Sequence, residues 1–219
     1  MSRNYFAVFG LGVFGTRLAE ELSRNGNHVT VVDLDRDRVN EIRDKVTEAV
    51  IGDISSEEVI RDMDVKKFSA VILAMSSHFE AQLLALTLLK QEGARKVYAK
   101  AGTALQQRIL YRLGADEIIQ PEQAAAERLS RRLTLDHISE FVEFKGSAIA
   151  EVIVPPDMVG KSLRQLDLRN RGNINVLLIQ KPGEDTENVW SPDTELAEGD
   201  MLTVFGSKRA ILEIFHLQK

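Results

Sequence analysis

Cysteine is missing from all 219 residues. That excludes disulfides, thiolate metal sites and a cysteine nucleophile, and it is compatible with a reducing cytosol. No run approaches the ~20 apolar residues needed to span a bilayer. The N-terminus leads straight into an apolar strand, so no signal peptide is expected. The expectation is a soluble chain whose membrane role, if it has one, comes through a partner. A basic excess is also lacking. The formal net charge is −5, whereas a general nucleic-acid binder needs a basic face to displace counterions. The first 145 residues carry 20 basic and 22 acidic side chains and the remainder 8 and 11, so neither half is a basic patch. Nucleic acid is therefore not an expected partner. Internal repeats and low-complexity stretches are absent too. What remains is an ordinary globular composition, 44% hydrophobic and 28% charged, long enough for one good core or two modest ones.

The most informative stretch is the first thirty-three residues. An apolar run from Tyr5 ends at Gly10, and Gly10, Gly12 and Gly15 complete G-x-G-x-x-G, with Val13 and Phe14 inside the loop. The next segment has a helical period, with Leu18, Ala19 and Leu22 on one face and Asn25-Gly26 as its stop. A second apolar strand, from His28, ends at Asp33, eighteen residues past Gly15. Each part has a physical task. Gly10 permits the tight turn, Gly12 lets the backbone approach a diphosphate, and Gly15 lets helix and strand pack closely. The helix N-terminus offers unpaired N–H groups and a positive dipole end to phosphate oxygens. A carboxylate at the second strand's tip accepts ribose hydroxyls and repels a 2′-phosphate. Strand, glycine turn, helix and acid in this register define a nucleotide site.

The pattern continues. After an amphipathic segment from Asp35, Ala49 to Gly52 forms a third strand, followed by Asp53 and a helix start capped at Ser55-Ser56. Ala70 to Ala74, Lys96 to Lys100 and Glu117 to Pro121 supply three more strands, with helices over about Glu80–Glu92 and Leu105–Leu113. Six short strands alternating with helices predict an α/β fold, a Rossmann-like doubly wound parallel sheet. Such sheets bind ligands beyond the carboxyl ends of their strands, which places Gly10, Asp33, Asp53, Ser76, Lys100 and Glu122 on one edge. A last helix is expected from Glu122 to about Ser139, with Ala125, Leu129, Leu133 and Ile138 apolar and Arg128, Arg131 and Arg132 on a solvated side.

From Glu140 the pattern changes. Strands are expected at Ala148–Val154, Ile174–Gln180 and Met201–Phe205, with a short helix at Ser162–Leu166 and a final helix capped by Ser207 and running to Leu217. This is a small α+β module, marginal alone on surface-to-volume grounds and expected to be stabilised by self-association. The division is residues 1–139 and 140–219. Of the four histidines, His28 and His216 fit structural positions and only His78 lies at the ligand edge; His137 and the rest belong to no catalytic motif. An NAD-dependent oxidoreductase is permitted by the first half. The second half looks too small to enclose a substrate.

With both halves in view, the sequence resembles the cytosolic regulatory subunits of bacterial potassium uptake systems, the KtrA/TrkA family, in which an RCK nucleotide-binding domain precedes a TrkA-C domain. The resemblance covers essentially the whole chain. It rests on Phe6 to Gly15, Val50 to Asp53, Ala70 to Ala74, Ala99 to Ala101 and Leu113 to Glu122, then on Val159 to Leu163, Leu166 to Arg169, Asn175-Val176 and Glu198 to Gly206. It implies a ligand-gated ring rather than an enzyme: dimers assembled into an octameric ring at the cytoplasmic face of a membrane-embedded potassium-translocating subunit. The implied ligands are ATP, ADP or NAD(H). The glycine loop would cradle phosphates, Asp33 take the ribose, Asp53 lie by the adenine and Lys100 near the phosphate edge. Glu122 matches a glutamate that helps hold a divalent cation such as Mg²⁺, and an acid beside polyphosphate is costly unless a cation intervenes. Arg169, Asn175 and Pro192 fall near positions that bind cyclic di-AMP in some members. One departure is Val13, where many members carry an arginine that contacts the terminal phosphate. It weakens discrimination of ATP from ADP, leaves NAD(H) or AMP open, and invites compensation by Arg17 or Lys100. A nucleotide sensor of another channel or transporter fits the same residues.

Overall fold

Near-continuous apolar runs become strands buried on both faces when helices cover both sides of a sheet, and six such runs do so in the first half. The computed structural model describes residues 4–134, 138–184 and 191–215. Strands β1 (Tyr5–Phe9), β2 (His28–Asp33), β3 (Glu48–Ile51), β4 (Ala70–Leu73), β5 (Val97–Lys100) and β6 (Glu117–Ile119) lie in the order β3-β2-β1-β4-β5-β6. All five pairings are parallel. Between them run α1 (Val13–Arg24), α2 (Arg36–Ile42), α3 (Glu57–Asp62), α4 (Phe79–Gln91) and α5 (Ala104–Arg112), and α6 (Pro121–Thr134) follows β6. This is the Rossmann-like doubly wound sheet the alternation predicts.

Because strand side chains alternate between faces, the sheet has two cores. Ala7, Phe9, Val71, Leu73, Val97 and Ala99 pack with Leu86 and Leu89 of α4 and Leu110 of α5. On the other face Val8, Val29, Val31 and Ile72 meet Ala19 of α1 and Val39 and Ile42 of α2. Each fully buried branched side chain contributes about 1.5–3 kcal/mol, so the sheet's loops hang from a rigid frame. Strand order reverses beside β1, whose neighbours are β2 and β4. There the connections leave in opposite directions and open a crevice at the strands' carboxyl ends.

Local signals explain most boundaries. α1 stops as Asn25-Gly26 predicts: Gly26 has φ +80, its N–H donates to the Ser23 carbonyl, and Asn27 N–H donates to that of Leu22. α2 begins at Asp35, whose carboxylate accepts from the N–H groups of Asp37 and Arg38. The cap expected for α3 is different: Ser56 sits at the N-cap without a side-chain hydrogen bond, while Ser55 bonds to Asp53 instead.

The chain divides by contacts into two compact units, Met1–Ala124 and Ala125–Lys219. The largest departure from expectation falls near the join. α6 ends at Thr134 rather than near Ser139, and β7 (Ile138–Phe144) is a strand. It pairs with β8 (Ser147–Ile153) through the turn Lys145-Gly146, where φ is +41 and +93. Two successive positive φ values make a hairpin turn whose twist suits the flanking strands; pairing therefore overrides helical propensity.

The second unit also holds α7 (Leu163–Leu166), α8 (Leu168–Gly172), β9 (Asn175–Gln180), β10 (Met201–Ser207) and α9 (Lys208–Ile214), its strands ordered β7-β8-β10-β9 and antiparallel. Ser162 and Gln165 form a capping box at α7, and Ser207 caps α9 through Ala210 N–H at 3.2 Å. One face of β8 and β10 is buried, with Ala148, Ala150, Val152, Leu202 and Val204 packed on Ile211 and Phe215. His137, His216 and the expected helix end at Leu217 lie outside the described residues.

Candidate functional site

The three glycines after β1 sit in three different settings. Gly10 has φ +94, a backbone that side chains resist. A Cβ on Gly15 would stand 1.9 Å from the Gly10 carbonyl oxygen, so helix and turn touch there. A Cβ on Gly12 would meet nothing within 4 Å, which leaves open space over the turn. Gly12 is also the N-cap of α1, and the first turn carries no acid to offset the helix dipole. Val13 is 88% exposed beside that space, while Phe14 turns back to pack on the core around Val8.

At the tip of β2, the Asp33 carboxylate accepts from Leu11 N–H at 2.5 Å and from Asp35 N–H at 2.8 Å. The acid and the glycine turn are thus in direct contact. Each carboxylate oxygen keeps a lone pair for a further donor. The Gly52 N–H donates to the Asp33 carbonyl, which ties the loop after β3 to the same tip. Asp53 follows, half-buried, with Oδ1 accepting from Ser55 N–H at 2.8 Å and Ser55 Oγ at 2.6 Å. The hydroxyl and then the backbone bond from Ser55 hold its carboxyl below the usual range.

Across the crevice, Phe9, Leu73 and Ala99 are in register on β1, β4 and β5. Gly10, Ala74 and Lys100 therefore form the next row. Met75 covers Gly10, the gap to a Gly10 Cβ being 3.3 Å, and Ser76 lies by Gly102 of the following loop. Gln82 of α4, wholly buried, donates to the Lys100 carbonyl at 2.8 Å. The Lys100 ammonium pairs at 2.6 Å with Oε1 of Glu122, in the first turn of α6, and that contact is the main reason the Glu122 carboxyl is held low. His78 is the exposed N-cap residue of α4, with Nδ1 3.1 Å from Ser77 Oγ.

The structure thus brings Gly10, Gly12, Gly15 and Asp33 into one constellation and sets Asp53, Ser76, Lys100 and Glu122 along the same sheet edge. Arg17 is drawn elsewhere, to Glu20, which also binds Lys45. A cation cage of protein groups does not fit: among the described residues no three His, Asp or Glu side chains cluster, and the Glu122 carboxylate is engaged by an ammonium. In the second unit Arg169 lies on α8, Asn175 opens β9, and the Pro192 carbonyl accepts from Arg164 N–H at the start of α7. Sequence reasoning missed Gln82 and the two pairings Asp33–Leu11 and Lys100–Glu122. A lone amide at position 82 within the apolar stripe of α4 was the available signal.

These features define the class, a dinucleotide-type α/β fold followed by a small antiparallel α+β unit. The TrkA-N domain matches residues 6–121 and the TrkA-C domain residues 149–219. The chain belongs to the family that joins these two domains. It is 30% identical over 203 residues to the Ktr system potassium uptake protein C of Bacillus subtilis (strain 168), covering 92% of this chain and 91% of that protein. It is 32% identical over 204 residues to the Ktr system potassium uptake protein A of Vibrio alginolyticus, with coverage of 92% and 91%. Among solved structures, the GsuK RCK domain matches at a TM-score of 0.68 and 17% identity, covering 99% of this chain and 48% of that one. The GsuK channel bound to NAD matches at 0.66, also 17% identical, with coverage of 99% and 39%. A Shewanella denitrificans Kef C-terminal domain in AMP-bound form matches at 0.52 and 19% identity, over 59% of this chain and 79% of that one. Among the described residues, no helix is long and apolar enough to cross a membrane.

Proposed function

We infer that this chain is the nucleotide-binding regulatory subunit of a potassium uptake system, and that it works by changing shape with the nucleotide it holds rather than by catalysis. The observation that carries the reading is the contact of the Asp33 carboxylate with Leu11 N–H, which sets an acid against the glycine turn and so supports ribose beside phosphates there. Gly10, Gly12 and Gly15, with Val13 and Phe14, form the phosphate loop; Asp33 takes the ribose hydroxyls; Asp53 faces the adenine; Ser76 and Lys100 border the phosphates. The names of the Ktr relatives support a potassium system, and NAD and AMP in two structures of like fold support an adenine ligand.

The ligand is ATP or ADP, NAD(H) or AMP, and it gates by contacting two assembly shapes differently, since equal affinity shifts nothing. The division into residues 1–139 for nucleotide and 140–219 for the TrkA-C domain goes with this reading. So do dimers assembled into an octameric ring, at the cytoplasmic face of a membrane-embedded potassium-translocating subunit. A Mg²⁺ role for Glu122 needs Lys100 to leave it, and cyclic di-AMP at Arg169, Asn175 and Pro192 is the corresponding role for the second domain. A thermal-shift series tests the reading, with ATP, ADP, AMP, NAD⁺, NADH and cyclic di-AMP, with and without Mg²⁺. Stabilisation rises with free ligand over Kd, so the order of shifts ranks the ligands. No shift with any adenine nucleotide overturns the reading, and turnover of a substrate by the NADH-loaded chain would mark an oxidoreductase instead.

A further inference from the structure

Lys100 stands between two acidic claimants. Its strand ends two places along the sheet from the glycine turn, and with strands about 4.8 Å apart its backbone lies on the order of 10 Å from that of Gly10. A four-carbon stem closes part of that gap, and a diphosphate laid on the turn closes the rest. In the structure the other claimant holds it, at 2.6 Å from Glu122. The pair is asymmetric. The lysine side chain is 12% exposed and the glutamate 69%. A largely desolvated ammonium does not give up its partner to water without cost, so it leaves only for another anion. The carboxylate, already wet, is released easily. Gln82 meanwhile fixes the Lys100 carbonyl at 2.8 Å, so the side chain can swing while the strand end stays in place. Position 13 is valine, and Arg17 of α1 faces Glu20 rather than the turn.

We propose that Lys100 is handed from Glu122 to the nucleotide: phosphate charge over the glycine turn draws the ammonium away, and the freed carboxylate reports the ligand to α6. This deepens the nucleotide reading and rests on it. α6 is the helix that carries the chain across the division after Ala124, so an electrostatic change in its first turn lies on the covalent route to the second unit. The exchange also makes recognition depend on phosphate number, because a monophosphate has less charge with which to compete.

The test is titration calorimetry of the full chain with ADP and AMP in EDTA, for the wild type, Glu122→Gln, Lys100→Met and the double variant. Glu122→Gln removes the competitor and is expected to tighten ADP roughly three- to tenfold, and AMP less. Lys100→Met is expected to weaken ADP about tenfold or more, and adding Glu122→Gln to it should change nothing further. Hydrogen exchange in the first turn of α6 is expected to change on adding ADP to the wild type and not to Lys100→Met. ADP affinity unchanged or weakened by Glu122→Gln, or exchange in α6 indifferent to ADP, overturns the proposal while leaving nucleotide binding intact. A wild type that binds no adenine nucleotide removes both.

Discussion

The Asp33 carboxylate accepts the N–H of Leu11 at 2.5 Å and so braces the glycine turn from the tip of the neighbouring strand. One side chain serves fold and site together, and substitution separates the two. Asp33→Ala loses both backbone bonds and is expected to destabilise the first unit by about 1–3 kcal/mol. Adenine-nucleotide affinity should fall roughly ten- to a hundredfold, the worth of a charge-assisted hydrogen bond. Asp33→Asn keeps one acceptor for Leu11 and should recover stability more than affinity. Urea midpoints and calorimetric titration read the two effects independently. Recovery of both by asparagine would confine the carboxylate to a structural role.

Gly12 and Gly15 make opposite predictions. A methyl on Gly15 collides with the Gly10 carbonyl at 1.9 Å, and helix and turn must part to admit it, at a cost of about 3 kcal/mol or more. A methyl on Gly12 meets nothing, and its φ of −70 suits any residue. Gly12→Ala should therefore melt within a degree or two of the wild type yet lose nucleotide affinity, because the methyl occupies phosphate space. Thermal melts with and without ADP distinguish them; equal affinity for Gly12→Ala would place the phosphates elsewhere.

Those glycines were legible in the chain because motif spacing is local, and so was the doubly wound sheet, whose strands announce themselves as apolar runs between glycine stops. What escaped was set by partners distant in sequence or by backbone conformation. Lys100 and Glu122 lie twenty-two positions apart, as do Leu11 and Asp33, and neither pairing follows from periodicity. β7 was hidden by its turn: Lys145 adopts φ +41, a conformation its composition does not advertise, and the preceding helical pattern ran on unchallenged. Ser56 looked like a cap, but Asp53 had already engaged the neighbouring Ser55. Competition between near-equivalent local bonds is settled by the third dimension.

Glu20 predicts an acid response. It is 5% exposed on α1, between Lys45 at 2.7 Å and Arg17 at 3.1 Å. The Lys45 ammonium foremost, opposed by burial and helped by Arg17, holds its carboxyl below the ordinary value near 4.5. A carboxylate with a depressed folded pKa stabilises the protein above its unfolded pKa, and that contribution disappears as pH falls through the folded one. Glu20→Gln should therefore unfold at lower urea than the wild type at pH 7, with the gap closing below about pH 4.5. A gap constant from pH 7 to pH 3 would mean the ion pairs contribute nothing.

Gln82 is the last member of the site to be tested, and its chemistry gives an order rather than a single value. Its amide donates to the Lys100 carbonyl at 2.8 Å, and its own Oε1 has no partner among the described residues. Gln82→Leu removes the orphan acceptor but strands the carbonyl, for a net loss of about 1–2 kcal/mol. Gln82→Glu sets a buried carboxylate against that carbonyl and should be worse at pH 7. On acidification the protonated acid regains a donor, so the glutamate variant should approach the leucine variant as pH falls. Because the bond anchors the end of β5, from which Lys100 projects, both variants should also weaken ADP binding. Stability lost without any change in ADP affinity would make Gln82 a packing residue alone.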